Sequence, residues 1–328
     1  MNRRNILLAG LLVVQLVVTA IVYKPGQQDR AADKEVHFFD LAADQVARMV
    51  ITDRDDKVLT LQKKGDSWVV NPPDDFPGNA KRIGERLKQL LAAGSDRLVS
   101  RTRAGHARLR VGDGAFNRRI ELIDGDGKKQ TLYLGSSQGR NGIHVRRGDD
   151  DEVYFVRGIS VWDFSTGASQ WWRNRYVEVK ADDLQGVKIV NQHGTLILNR
   201  GEDDTWSFGD PDSGKADRDK VKNLIDHART ITVADYPPKD KRPTVEEALV
   251  TLTLTTKNGK ELVLKMGKED EKGRYPVQGG GNPIPALINK VNVEPLLTAT
   301  ARELAAGEAA DTHGVEEEGR ESEKQPEK

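Results

Sequence analysis

The chain says nearly the same thing twice, and that repetition narrows the folds open to it more than any other feature. The run RRIELIDGDGKKQTLYLG, Arg118 to Gly135, returns as ALVTLTLTTKNGKELVLKMG, Ala248 to Gly267. In each copy the turn glycine, Gly127 or Gly259, stands eight residues before the closing glycine. Upstream, ARMVI (Ala47 to Ile51) returns as QGVKI (Gln185 to Ile189), and Asp66-Ser67-Trp68 returns as Asp204-Thr205-Trp206. Between these landmarks lies, both times, the stripe of an amphipathic helix: Ile83, Leu87, Leu90 and Leu91, then Val221, Leu224, Ile225 and Ala228. A period of roughly 130 to 140 residues is far too long for a solenoid unit and suits a whole small domain. The expected fold class is α+β: a tandem duplicated module of antiparallel β meanders with one amphipathic helix each, behind one N-terminal transmembrane helix.

That helix is read from Ile6 to Tyr23, an apolar run broken only by Gly10, Gln15 and Thr19, with Arg3 and Arg4 before it and Lys24-Pro25-Gly26 after it. At 1.5 Å per residue, about 18 residues give roughly 27 Å, enough for a bilayer core. The two arginines keep the amino terminus in the cytoplasm and send the remainder to the periplasmic side of the inner membrane. A cleaved signal peptide is the competing reading, because Val18-Thr19-Ala20 offers small residues. Ile21, Val22 and Tyr23 continue past that site, which favours a retained anchor. The expected organisation is residues 1–5 cytoplasmic, 6–23 signal-anchor, 24–40 tether, 41–175 first module, 176–305 second module and 306–328 a disordered charged tail.

Composition removes several function classes. Lys plus Arg and Asp plus Glu both number 51, so no basic field draws nucleic acid. The absence of cysteine excludes disulfides, thiolate metal sites, cysteine nucleophiles and the lipidated cysteine of a bacterial lipoprotein. Short β-type runs separated by charged turns read as meanders, among them Val58 to Gln62, Leu98 to Ser100, Ala107 to Val111 and Ile143 to Val145. Gly94 is the expected stop of the first helix. Val250, Leu252 and Leu254 alternate strictly with Thr251, Thr253 and Thr255, one face for a core and one for water. Ile284 to Val291 reads as a final helix interrupted by Pro285.

The joint between the modules carries Ser169-Gln170-Trp171-Trp172-Arg173-Asn174-Arg175-Tyr176. A tryptophan pair beside two arginines offers a large apolar surface and cation–π stacking. Trp171, Trp172, Arg173 and Arg175 are therefore the candidate partner-binding residues, against the plainer reading that the rings glue the modules together.

With the Arg-flanked leader, the GDSW and DDTW turns each followed by an amphipathic helix, the LGSSQGRNGIHVRR run and the WWRNR joint, the chain resembles the DUF4340 family of bacterial proteins over roughly residues 1 to 305. The resemblance implies an accessory role beside an ABC-type export system related to the gliding-motility transporters, with a permease, an ATPase and a second extracytoplasmic subunit as companions. It supplies no catalytic residues.

Nor do the residues supply any. Asp124-Gly125-Asp126-Gly127-Lys128 opens like a calcium loop, but the fifth position is Lys128 and the twelfth Gly135, so a hairpin turn is expected. Asp149-Asp150-Asp151-Glu152 reads as a solvated hairpin tip. The six histidines, His37, His106, His144, His193, His227 and His313, show no zinc spacing and read as surface or edge residues. Ser136-Ser137 sits before a strand, where the nucleophile elbow needs a helix. Gly279-Gly280-Gly281 lacks the Lys-Ser/Thr of a phosphate loop. No cofactor and no metal are expected. The leading expectation is a non-catalytic, membrane-anchored scaffold subunit of an export complex; the alternatives are a stand-alone envelope module binding glycan or lipid and, further off, an envelope hydrolase.

Overall fold

The computed structural model describes residues 12–15, 35–71, 74–137 and 142–306. The expected anchor lies outside them except for residues 12–15, which are helical, as do most of the tether, nearly all of the charged tail and residues 138–141 of the small-residue loop. Among the described residues no helix is long and apolar enough to cross a membrane. The chain divides into two compact units between Arg173 and Asn174.

The first unit runs through strands β1 (Val36–His37), β2 (Val46–Asp53), β3 (Val58–Lys64), β4 (Ser67–Val70) and β5 (Phe76–Pro77), the helix Ala80–Leu91, then β6 (Gly94–Ser95) and β7 (Leu98–Ser100). A short helix His106–Leu109 and the small hairpin β8 (Val111–Gly112) and β9 (Ala115–Phe116) lead into β10 (Arg118–Asp124), β11 (Lys129–Ser137), β12 (Ile143–Arg147) and β13 (Val153–Val156). The second unit holds β14 (Arg175–Glu178), β15 (Leu184–Asn191), β16 (Gly194–Arg200), β17 (Trp206–Phe208), the helix Arg218–Ala228, β18 (Thr230–Thr232), β19 (Val250–Thr256), β20 (Glu261–Met266), β21 (Arg274–Gly279) and β22 (Asn282–Asn289). Helices Lys290–Thr298 and Ala301–Leu304 close it.

Strand order matches between the units. The first sheet runs β5-β4-β3-β2-β10-β11-β12-β13-β7 and the second β17-β16-β15-β19-β20-β21-β22, so β4 to β13 in the one correspond, place for place, to β17 to β22 in the other. In each, the helix leaves after the third meander strand and the chain returns to the middle of the sheet. The strand before the meander also pairs with the one after the helix, β1 with β6 and β14 with β18. All of these pairings are antiparallel.

Alternation explains which face is buried. Met49, Ile51, Leu59, Leu61, Ile120, Leu122 and Leu132 are wholly inaccessible on one face of the first sheet, as are Ile189, Leu198, Leu252, Leu254, Leu264 and Met266 in the second. The helices add Ile83, Leu87 and Leu90, or Val221, Leu224 and Ile225, to the same apolar interior. Each such side chain contributes roughly 1.5–3 kcal/mol by leaving water. Both helices start on a capping side chain: Asn79 accepts from the Arg82 amide at 3.1 Å, and Asp217 from the amides of Asp219 and Lys220 at 3.0 Å.

Four local expectations are corrected. Residues 107–111 form no continuous strand; the helix His106–Leu109 turns His106 and Leu109 inward and ends at Arg110 in the left-handed region, φ 57°. The first helix stops at Ala92, and Gly94 instead pairs with His37. Ile284 lies in the edge strand β22, where Pro283 and Pro285 are tolerated because an edge strand leaves one row of amides unpaired. His106 and His144 are buried, at 7% and 2% exposure, and are not surface residues.

Candidate functional site

The four candidate residues of the joint separate. Trp171 is 1% exposed, its indole N–H donates to the Ser165 carbonyl at 2.7 Å, and its own carbonyl accepts from the Asn79 amide at 2.8 Å. Trp172 bridges Gly78 in antiparallel fashion and stands edge-on to Phe76, centroids 5.9 Å apart. The Arg173 amide donates to the Pro77 carbonyl at 2.6 Å, and its side chain is exposed. Arg175 is half-buried and opens β14 in the second unit.

Thus Trp171 to Arg173 form a strap that closes the first unit over its helix N-terminus. The second unit has the same strap. Asp217, the N-cap, donates its amide to the Leu304 carbonyl at 2.8 Å, Ala216 bridges Ala305, and the Ala306 amide donates to Lys215 at 2.9 Å. Leu304-Ala305-Ala306 therefore takes the place in the second unit that Trp171-Trp172-Arg173 takes in the first, a likeness of backbone bonds and not of residue type. Both rings are occupied within the first unit.

Ser136 and His144, eight residues apart in sequence, meet across β11 and β12 with Oγ 3.0 Å from Nδ1. The same Nδ1 lies 2.9 Å from the Ser136 carbonyl oxygen, which only accepts, so Nδ1 carries the proton. Ser136 Oγ in turn donates to the Leu109 carbonyl at 3.1 Å. A ring nitrogen already protonated toward the hydroxyl does not act as its base. Burial holds the His144 pKa below its usual value, so the ring is neutral.

One buried residue on the second face of the first sheet is charged. The Arg146 side chain is 4% exposed; its Nε donates to the Val111 carbonyl at 2.7 Å, and Nη1 to the carbonyls of Arg147 and Asp150 at 3.1 and 3.0 Å. Nη2 pairs with the Asp113 carboxylate, and the guanidinium lies 4.4 Å from the Tyr133 ring centroid. The hydrogen bond from Arg146 holds the Asp113 carboxyl below the ordinary range, whereas burial pushes the Tyr133 phenol up. Each of the three guanidinium nitrogens donates to the backbone or to Asp113. The acidic run that follows is also tied down rather than merely solvated, Asp151 to Arg103 at 2.7 Å and Glu152 to Arg101 at 3.0 Å. In the Asp124 turn the carboxylate accepts from the amides of Asp126 and Lys128 at 3.0 and 2.9 Å, the bonds of a hairpin turn.

Beside this cluster a cleft of about 750 Å³ is lined by Arg119, Glu121, Lys129, Tyr133, Arg147 and Asp149, among others. Lys129 pairs with Glu121 at 2.9 Å and Arg147 with Asp149 at 3.7 Å. Arg119 has no ion-pair partner among the described residues; Nη2 reaches Thr52 Oγ1 at 3.4 Å, and its buried Nε has no hydrogen bond. Among the described residues no group of His, Asp and Glu could hold a metal ion.

The structure adds one feature that the sequence pattern does not announce: Trp162, 83% exposed on a 3-10 turn, Val161–Phe164. Its signal was present as the capping pair Ser160 and Asp163 just before buried Phe164.

The architecture defines a class: an antiparallel α+β protein of two units with a common strand order and a strap at each helix start. The family described as "Domain of unknown function (DUF4340)" matches residues 68–247, more than half of the chain, and the chain belongs to it. That match begins at Trp68 in β4 and ends just before β19, so it spans parts of both units. No curated protein and no solved structure matches the chain significantly.

Proposed function

We propose that this protein is a membrane-anchored, extracytoplasmic accessory or scaffold subunit of an ABC-type export complex, working without chemistry of its own beside a permease and a second extracytoplasmic subunit. The two units are read as products of a tandem duplication. The observation that carries the proposal is the build of the chain: one apolar, arginine-flanked leader ahead of two units that share strand order, helix placement and closing strap. Membership of the DUF4340 family supports it through the accessory role that the family resemblance implies. The charged and polar groups that first suggest catalysis, Ser136, His144 and the Asp149 to Glu152 run, are engaged in bonds that hold strands and turns. Capture of the full-length chain from gently solubilised membranes should recover a permease and its ATPase; recovery of the chain alone would sink the proposal. A reporter fused after residue 306 should be active only if it works in the periplasm.

A second reading, a stand-alone envelope module binding an acidic glycan, is favoured by the cleft and the unpaired Arg119. Saturable binding of such a glycan, lost in Arg119→Ala, would put this reading ahead.

A further inference from the structure

We infer that the turn carrying Trp162, with the flank of the helix Ala80–Leu91, is a surface that seats the first unit on an anionic lipid headgroup layer. The turn is built to hold its ring outward. Ile159 and Phe164 on either side are buried at 6% and 0% exposure, whereas Trp162 is exposed. Ser160 and Asp163 cap each other: the Trp162 amide donates to Ser160 Oγ at 3.3 Å, and the Ser160 amide to Asp163 Oδ2 at 3.0 Å. The helix clamps this box from the side. Arg86 Nη1 lies 2.9 Å from Asp163 Oδ1, and the Gln89 side chain donates from Nε2 to the Gly158 carbonyl at 2.6 Å. A fixed turn presenting a bare indole loses little conformational freedom on binding.

The charge around it selects the occupant. The helix and turn carry Lys81, Arg82, Arg86, Lys88 and Arg157 against Glu85 and Asp163. Lys81, Lys88 and Arg157 form no ion pair among the described residues, and Arg82 bonds only to the neutral Gln170, at 3.2 Å. A protein-binding hot spot sits within a packed, lysine-poor patch. An indole amid lysines and arginines suits an interface where the ring enters the headgroup level and the cations meet lipid phosphates. The inference rests on the anchored reading in one respect: from Lys24 at the expected membrane edge to Glu35, the chain reaches at most about 40 Å when fully extended, which keeps the first unit near the bilayer.

The test uses the full-length chain in vesicles of equal parts phosphatidylglycerol and phosphatidylcholine, with pure phosphatidylcholine as reference. The emission of wild type minus that of Trp162→Phe isolates this ring. The expected result is a blue-shifted difference spectrum, quenched by bromine-labelled lipid in the anionic vesicles. The quench should fall about fivefold in the Arg82→Glu, Lys88→Glu double variant and in pure phosphatidylcholine. A difference spectrum typical of water and insensitive to bromolipid in both compositions overturns the inference, as does a photocrosslinker at position 162 that attaches to protein and not to lipid in native membranes. Release of the chain by alkaline carbonate tells against the anchor alone, because the quench is read on the same vesicles before that wash.

Discussion

Arg146 in the first unit and Gln278 in the second stand at the same point of the same strand order, opposite Tyr133 and Lys265 respectively. Each reaches from the second face of its sheet to the segment that precedes the central strand. Arg146 donates to the Val111 carbonyl, whereas Gln278 exchanges two bonds of 3.2 Å with the backbone of Val245. The closing glycines of the sequence repeat lie under those segments. A Cβ on Gly135 would stand 2.2 Å from the Leu109 carbonyl oxygen; one on Gly267 would stand 3.0 Å from the Pro276 ring and 3.4 Å from Val245. One architecture thus tolerates a charged staple and a neutral one, provided that something satisfies the covering backbone. The first unit is the more tightly specified and the more exposed to loss.

The straps break this comparison most severely. Trp171→Ala should cost about 3–5 kcal/mol in urea unfolding of the first unit, and Leu304→Ala about 2–3 in the second, because both remove a buried side chain. Negligible losses at both positions would mean that backbone bonds alone hold the straps. Next come the staples. Arg146→Met should cost about 3 kcal/mol by leaving the carbonyls of Val111, Arg147 and Asp150 without their donor, whereas Gln278→Met should cost about 1–2. Amide hydrogen exchange resolves the units separately and should show each loss confined to one of them.

The glycines sharpen the contrast at smaller scale. Gly135→Ala should lower stability by about 1–3 kcal/mol because a carbonyl must move, and Gly267→Ala by less than about 1, since its neighbours are side-chain atoms. The smallest effect is a pH dependence. His144 is buried neutral with its pKa lowered, so the unfolded chain binds its proton first. The first unit keeps its full stability above about pH 6.5 and loses part of it as pH falls through the folded value. The place of His144 in β21 is taken by Pro276, which does not titrate. His144→Asn should flatten the first unit's slope over this range; an unchanged slope would assign it to another group.

The sequence is most legible where neighbours in space are neighbours in pattern. The alternation from Val250 to Thr255 and the stripes of both helices are set by burial on one side, and they appear in the structure as strands and helices at those positions. Residues 107–111 are not legible because four or five residues hold too little of either period, and their path is fixed by the close approach to Gly135. β22 does not look like a strand in sequence because it carries two prolines, although an edge position permits them. The Ser136 and His144 contact and the strap at Leu304 arise from registry and backbone bonding, which leave no trace in residue type. Trp162 leaves little signal because a single ring has no period; only its capping pair marks it.

The straps also set an order in time. The N-cap amides of Asn79 and Asp217 bond to Trp171 and Leu304, the closing segments of their units. A chain emerging from the ribosome therefore carries each helix start long before the residues that fasten it exist. The first unit can be sealed once Trp171 to Arg173 are free to fold, ahead of the strands of the second, so neither sheet needs to wait for the other's strands, and a truncated chain ending after residue 165 should remain open to protease at Gly78 when one ending after residue 173 does not.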